Sequence, residues 1–494
     1  MKEFQCGMIK LVENVKFSKS SNPTSTFQQK LSKDIQTIKR RDKVLVKADK
    51  TSNYYEMQPN QYQEKLNNVI SSEYKKASKT QEQNAFKSDK KIAKDLGISD
   101  RVEVMSKSES YMTAKDHKPD FLNNPKFRLL NSNKGNLGKV SKEILQNIND
   151  QIRRITKSSP WKNSKGVIDW FNKIDSKDRT SFIQFDIDNF YPSITEDLLS
   201  KAPEWPLGYV EITEEEKSII MSTKQNLLYS NGVPWVKKGD KCWDVTMGSW
   251  DGAEVCDLTG LFILSQCQNL GAKLGIYRDD GLGECRKRPQ QIENIKKQLC
   301  NIFKENGLKI TIEANKKVVH FLDITLDLTK DIYKPFLKPN NPLLYVHHES
   351  NHPPSILKNI PASVNKRLSE LSKNKILFNE AAVDYQKALE NSNYKYKLKF
   401  DPQNTGAQAA NGRRQRTRNI VWFNPPFSKN ISTNIGKEFF QLVDSCFPPG
   451  HILHPAINRN TVKLSYSCLP NIGSIISSKN NHLLKGGHSV PFPL

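Results

Sequence analysis

Residues 277–281 read Tyr-Arg-Asp-Asp-Gly, and no other five residues constrain the fold as tightly. Leu274-Gly275-Ile276-Tyr277 predicts a short strand, Asp280-Gly281 a favoured two-residue hairpin turn, and Leu282-Gly283-Glu284-Cys285 the returning strand. Asp279 and Asp280 then share a tip too tight for them to separate. Unless a cation neutralises them the two carboxylates repel, so the tip suggests a divalent metal site built from hard oxygen ligands. The plain alternative is a solvated surface turn, since Asp-Gly is common in turns. What separates the two is whether a third carboxylate stands upstream in the right setting.

The segment from Phe182 to Ile194 supplies it. Ile183, Phe185 and Ile187 alternate with Gln184, Asp186 and Asp188, the period of a half-buried strand that packs one face and shows carboxylates on the other. Ser193-Ile194-Thr195-Glu196 reads as a capping box opening a helix, which puts Asp186 near a strand end, just before a chain reversal. If the two strands are neighbours in one sheet, Asp186, Asp279 and Asp280 can hold two divalent ions, Mg2+ or alternatively Mn2+. Such a pair activates a 3′-hydroxyl and steadies a leaving pyrophosphate. After the hairpin, Pro289 suits the first turn of a helix, Ile292, Ile295, Leu299, Ile302 and Phe303 form its apolar stripe, and Gly307 suits its end. Leu308, Ile310 and Ile312 then alternate as a strand, and Leu322, Ile324, Leu326 and Leu328 as another. Strand, helix, strand is the second half of a ferredoxin-like palm.

This ordered set resembles a known family. FDIDNFYPSI is similar to motif A of reverse transcriptases and YRDD to motif C, with Met247-Gly248-Ser249 in the place of motif B. Phe321-Leu322-Asp323-Ile324 resembles the primer-grip hairpin. Val44 to Lys50, Lys115-Asp116-His117-Lys118-Pro119 and the stretch opening at Ser350-Asn351-His352-Pro353 resemble Penelope-like reverse transcriptases. The resemblance spans roughly residues 40 to 480. It implies an α+β right-hand polymerase, with fingers, a ferredoxin-like palm and a helical thumb between N- and C-terminal extensions. It also implies metals on Asp186, Asp279 and, less directly, Asp280, and as partners an RNA template, a DNA primer and deoxynucleoside triphosphates.

Tyr191 lies where the family sets a bulky aromatic against the incoming sugar. A ring there collides with a 2′-hydroxyl and favours DNA synthesis; ordinary core packing of Phe190 and Tyr191 is the alternative. Lys126-Phe127-Arg128-Leu129 matches the family's fingers strand, making Lys126 and Arg128 the candidates for the nucleotide phosphates, with Lys115 and Lys118 behind them. Gly248 permits close backbone approach to template or base. Motif B departs from the family: Trp250-Asp251-Gly252-Ala253-Glu254 follows where Pro is usual. Asp251 and Glu254 suit a helix start, yet they also put two unexpected carboxylates near the nascent pair.

Composition agrees. Lys and Arg number 76 against 52 Asp and Glu, a formal charge of +24, which favours a polyanionic partner, nucleic acid before an anionic membrane. The eight cysteines scatter with no C-x-x-C pair, arguing against a zinc finger or a disulfide framework. No secretory h-region and no bilayer-length apolar run are present, so the expectation is an intracellular protein, nuclear or cytoplasmic, with no membrane partner. The expected organisation is an N-terminal extension over 1–100, fingers and palm over 101–345, a helical thumb over 346–400, a linker with a basic run over 401–418, and a C-terminal extension over 419–494. Gly275-Ile276-Tyr277 spells half of a GIY-YIG nuclease signature, but no Tyr-Ile-Gly follows, so a polymerase without that endonuclease is expected. Two other readings stay open: a decayed or domesticated nucleic-acid-binding protein, and an RNA-dependent RNA polymerase, which Tyr191 disfavours.

Overall fold

The structure is a computed structural model describing residues 2–18, 26–97, 99, 108–131, 137–156, 161–208, 210–239, 242–339, 342–402 and 420–485. In chain order its elements begin with α1 (Lys2–Glu13), α2 (Thr26–Arg40), β1 (Val44–Lys47), β2 (Tyr54–Met57), α3 (Pro59–Glu73), β3 (Tyr74–Lys76), α4 (Lys79–Asp95), β4 (Tyr111–Ala114), β5 (Phe127–Leu130), α5 (Leu137–Thr156) and α6 (Ser164–Asn172). There follow β6 (Ser181–Ile187), α7 (Phe190–Ser193), α8 (Glu196–Glu204), α9 (Glu214–Ser222), β7 (Leu228–Ser230), β8 (Val233–Lys237), α10 (Gly252–Gln266), β9 (Lys273–Tyr277), β10 (Asp280–Cys285), α11 (Pro289–Glu305) and β11 (Ile310–Lys316). The chain continues through β12 (Val318–Phe321), β13 (Ile324–Asp327), β14 (Ile332–Pro335), α12 (Pro354–Glu370), α13 (Lys375–Asn391), β15 (Val421–Phe423), α14 (Ile435–Cys446), β16 (Val462–Leu464) and α15 (Ile472–Leu484).

Two compact units result. One comprises Val44–Pro342 with Glu370–Lys373; the other comprises Met1–Lys43, Leu343–Ser369 and Asn374–Leu494. The expected N-terminal extension therefore divides at Lys43/Val44. β1 joins the unit that carries the motifs because Ala48 bridges to Ala114 at the end of β4, and the Asp49 N–H donates to the Ala114 carbonyl at 2.8 Å. The basic run at 413–418, and most of the linker before it, lies outside the described residues.

The central sheet has the order β11-β6-β10-β9, antiparallel throughout. Taken as strand β6, helix α10, strands β9 and β10, helix α11 and strand β11, this is a ferredoxin-like βαββαβ unit with α7 to β8 inserted after the first strand. One face of the sheet presents Ile183, Phe185, Ile187 and Ile276 to a core shared with α5, α8, α10 and α11. α10 can lie at its centre because it is apolar nearly all round. α11 is one-sided: Ile292, Ile295, Leu299 and Phe303 are buried, and Gly307 follows it at φ +71°, as its position past the helix end requires.

The opposite face is covered only in part. Phe182 and Leu282 join a second core with Trp161, Phe171 and the sheet β12-β13-β14, and Gln184 Nε2 donates to the His320 carbonyl at 2.9 Å. Asp186 and Asp280 lie farther along the same face, beyond that cover. β12 and β13 form a hairpin where Phe321-Leu322-Asp323-Ile324 was expected to make one, with Phe321 opposite Ile324. Leu322 is in its turn at φ +55°, not on the strand as its alternation with Ile324 suggested.

The second unit contains α12 and α13, the helical pair expected of a thumb, with Leu368, Leu377 and Phe378 buried. Leu371, expected in the same stripe, instead belongs to the second core of the palm-bearing unit. Elsewhere in this unit α1 and α14 pack around Leu11, Phe439, Val443 and Phe447, and β15 and β16 pair in parallel. Among the described residues no helix is long and apolar enough to cross a membrane.

A Cβ at Gly281 would lie 2.0 Å from the Phe185 ring, which itself packs edge-on to Phe303 in the core. Gly281→Ala is therefore expected to destabilise the fold by about 1–3 kcal/mol through overpacking, read as a lower denaturant midpoint.

Candidate active site

The hairpin between β9 and β10 turns at Arg278-Asp279, since Tyr277 pairs with Asp280. Asp280-Gly281 was the expected turn, but Gly281 is on the strand, where it leaves room for Phe185. Arg278 takes the left-handed conformation at φ +59° that a primed two-residue turn demands. Its guanidinium reaches Asp257 at 3.2 Å and donates to the Ala253 carbonyl, both on α10, so the tip is tied to that helix.

Across the sheet, Asp280 stands directly opposite Asp186. The Ile187 N–H donates to the Asp279 carbonyl at 2.9 Å, which marks Asp186 and Asp280 as a pair without hydrogen bonds between them. In such pairs Cα atoms approach to about 4.5 Å and side chains are closest. Two carboxylates therefore share one face at minimal separation, with Asp279 in the adjoining turn, an arrangement that is unfavourable without a counter-charge. Burial, then Asp279 and Asp188, raise the Asp186 carboxyl above its ordinary value. Burial, then Asp279 and Asp186, push Asp280 up to about 6.

The cations that act against this repulsion are lysines. Lys50 and Lys118 pull Asp186 down, and Lys338 and Lys50 do the same for Asp280. Lys50 and Lys118 are brought together because the two upstream motifs meet. Asp116 accepts from Thr51, from Asn53 Nδ2 at 3.1 Å and from the Tyr55 hydroxyl at 3.0 Å, clamping the loop after β1 to the loop after β4. Arg128, opposite Thr113 on the β4–β5 hairpin, spends its charge on Asp49 at 3.0 Å. Lys126 is exposed at the start of that hairpin strand. Sequence reasoning passed over Lys50, although it lies inside the quoted motif, and had no signal for Lys338.

Phe190 is a core residue, and Tyr191 is half-buried beside it, its ring edge 3.2 Å from where a Cβ on Gly252 would stand. Burial raises the Tyr191 phenol well above its ordinary value, so it stays neutral. The helix after motif A starts at Glu196, and its cap is Thr195, which accepts from the Leu198 N–H; Ser193, the expected cap, ends α7. Gly248 sits at φ +107°, and a Cβ there would be 2.8 Å from the Asn131 carbonyl. The close approach it permits is thus to the chain's own backbone at the end of β5.

Asp251 and Glu254 turn away from the carboxylate face. Asp251 is buried and pairs with Lys224 at 2.5 Å, accepting also from Ser141 and Thr223. Glu254 accepts from Gln146 on α5 at 3.0 Å. Both serve the α5–α10 contact rather than the nascent pair.

Among the described residues no three His, Cys, Asp or Glu side chains gather closely enough to enclose a metal by themselves. The donor set nevertheless fits a hard divalent ion: Mg2+ is commonly held by one or two carboxylates plus substrate phosphates, and Asp186, exposed, with Asp280, half-buried, offers adjacent carboxylate oxygens on one face of the sheet. No family model matches the chain, and no curated protein matches it. Among solved structures it is similar to a telomerase from Candida albicans in complex with a TWJ fragment of telomeric RNA, at 10% identity over 79% of this chain and 74% of that one, TM-score 0.47. It is similar also to a Candida tropicalis telomerase in complex with such a fragment, at 10% identity over 75% and 65%, TM-score 0.46, and to the RNA-dependent RNA polymerase of a human picobirnavirus, at 9% over 80% and 86%, TM-score 0.44. The chain's own strand order β11-β6-β10-β9 is that of a ferredoxin-like palm, and its cross-strand register brings Asp186 and Asp280 together.

Two outcomes follow from these charges. Asp280 binds its proton more tightly folded than unfolded, so that contribution is full below pH 3.8 and is lost as pH rises through about 6. Asp280→Asn should therefore raise the stability at pH 7 by up to about 2 kcal/mol and leave it unchanged near pH 3.5, measured as denaturant midpoints at the two pH values. Lys224→Met, which strands Asp251 in the interior, should cost about 3–5 kcal/mol in the same measurement, and Lys224→Met with Asp251→Leu much less.

Proposed function

We propose that this chain is an RNA-directed DNA polymerase of a retroelement, of Penelope-like type, extending a DNA primer on an RNA template with deoxynucleoside triphosphates. The observation that carries the reading is the Asp186–Asp280 cross-strand pair at the uncovered end of a ferredoxin-like sheet, with Asp279 in the adjacent turn. Asp186, Asp279 and Asp280 would hold two Mg2+ ions, whose chemistry when bound is to ease deprotonation of the primer 3′-hydroxyl and to neutralise charge on the departing pyrophosphate. Lys50, whose charge acts on both carboxylates, and Lys118, which acts on Asp186, suit the triphosphate. Arg128, already paired with Asp49, serves better to hold the fingers loop than to grip phosphate. Tyr191 presents a neutral ring at the end of β6, where it would exclude a 2′-hydroxyl. The net charge of +24 suits a long polyanionic substrate.

Primer extension on poly(rA)/oligo(dT) with Mg2+ tests this. Asp186→Asn and Asp279→Asn should each lower the rate at least about a thousandfold, a loss of several kcal/mol of transition-state stabilisation. Tyr191→Ala should raise ribonucleotide use relative to deoxyribonucleotide about tenfold. Absence of metal-dependent extension by the unaltered chain would sink the polymerase reading and favour a nucleic-acid-binding role. Preferential ribonucleotide incorporation by the unaltered chain would point to RNA synthesis instead.

A further inference from the structure

Beside the hairpin tip, the palm-bearing unit has a partly open cavity of about 230 Å3 between α5, α10, the segment at Trp161-Lys162 and the end of β9. Tyr277 and Arg278 line it; none of the three acidic residues of the candidate active site does. Four of its lining residues each carry a buried polar atom with no hydrogen-bond partner: the donors Arg153 Nε and Trp161 Nε1, and the acceptors Asn149 Oδ1 and Glu254 Oε2. Asn149 and Trp161 are each 1% exposed and Glu254 is 7% exposed. Buried polar atoms are ordinarily satisfied, so four orphans around one space define what should fill it.

The charges narrow the chemistry. Arg153 and Arg278 share Asp257, at 3.1 and 3.2 Å, and Lys162 pairs with Asp150 at 2.5 Å, so the cations of the lining are balanced by Asp150, Glu254 and Asp257 and no excess positive charge is left for a phosphate. The unmatched groups ask for two acceptors and two donors on one neutral molecule. The volume far exceeds the roughly 15 Å3 a single water needs and falls short of the roughly 300 Å3 at which drug-sized pockets begin. Trp161 and Tyr277 add aromatic surface. We infer that this cavity binds a nucleobase, through the amide-like N–H and C=O groups of its edge. The base belongs either to a free nucleoside or to an unpaired nucleotide of the bound strand. Because Arg278 lines the cavity and immediately precedes Asp279, an occupied pocket bears directly on the hairpin tip.

The test is binding to the full chain, independent of polymerisation. Titration calorimetry with adenosine, guanosine, cytidine and uridine reads the free-nucleoside arm; photocrosslinking of single strands carrying 5-iodouridine, mapped by mass spectrometry, reads the strand arm. Saturable binding of at least one nucleoside, weakened about tenfold by Trp161→Phe and by Glu254→Gln, or a crosslink at Tyr277 that either variant suppresses, or one at Trp161 that Glu254→Gln suppresses, supports the inference. Glu254→Gln keeps side-chain shape, whereas Trp161→Phe removes the Nε1–H together with part of a buried ring, so a cooperative melting transition is required of each variant and Glu254→Gln carries the test if Trp161→Phe does not fold. Failure of both arms overturns it, as does nucleoside binding that neither variant weakens or that inorganic phosphate displaces.

Discussion

Two like charges held opposite each other on adjacent strands organise this molecule. Asp186 and Asp280 occupy a position where side chains approach most closely and no backbone hydrogen bond lies between them. Such a pair costs free energy in the folded chain, and the structure around it is arranged to bear that cost. The cover over this face of the sheet stops at Phe182 and Leu282, which keeps the carboxylates reachable by solvent and counter-ions. The opposite face is densely packed against α10 and α11, so neither strand can relax away from the other.

The fingers show how a very basic chain allots its charge. Much of the surface lysine is solvated, but near the candidate site each basic or acidic group has a definite employment. Asp116 collects three donors to fix a loop, Asp49 occupies Arg128, and Lys309 with Thr311 occupies Asp188. Lys50 and Lys118 are exposed, and their charges act on the carboxylates. A count of basic residues identifies the class of partner; only this local pairing separates the cations that hold the fold from those available to a substrate.

The palm was largely legible in the sequence, because period-two burial in Phe182–Ile187 and one-sided burial in Pro289–Glu305 are local patterns that survive in the fold. The β12–β13 hairpin and the left-handed Gly307 were readable for the same reason. Other features depend on partners remote in sequence. The hairpin turn shifted by two residues because a ring on β6 needs the space at Gly281, which overrides the turn preference of Asp-Gly. Asp251 and Glu254 looked like additions to the active site, yet their partners Lys224 and Gln146 lie on other elements and draw them inward. Gly248 was correctly marked as a close-approach position, but what approaches is Asn131. Lys338 carries no pattern at all.

Arg278 has a mechanical consequence. It is bonded to the Ala253 carbonyl and to Asp257, on the opening turns of α10, while its backbone forms the bend that carries Asp279. The acidic tip and that helix therefore share their degrees of freedom. Any load on the start of α10 also levers the bend, so a shift of that helix is converted into a shift of the acidic tip.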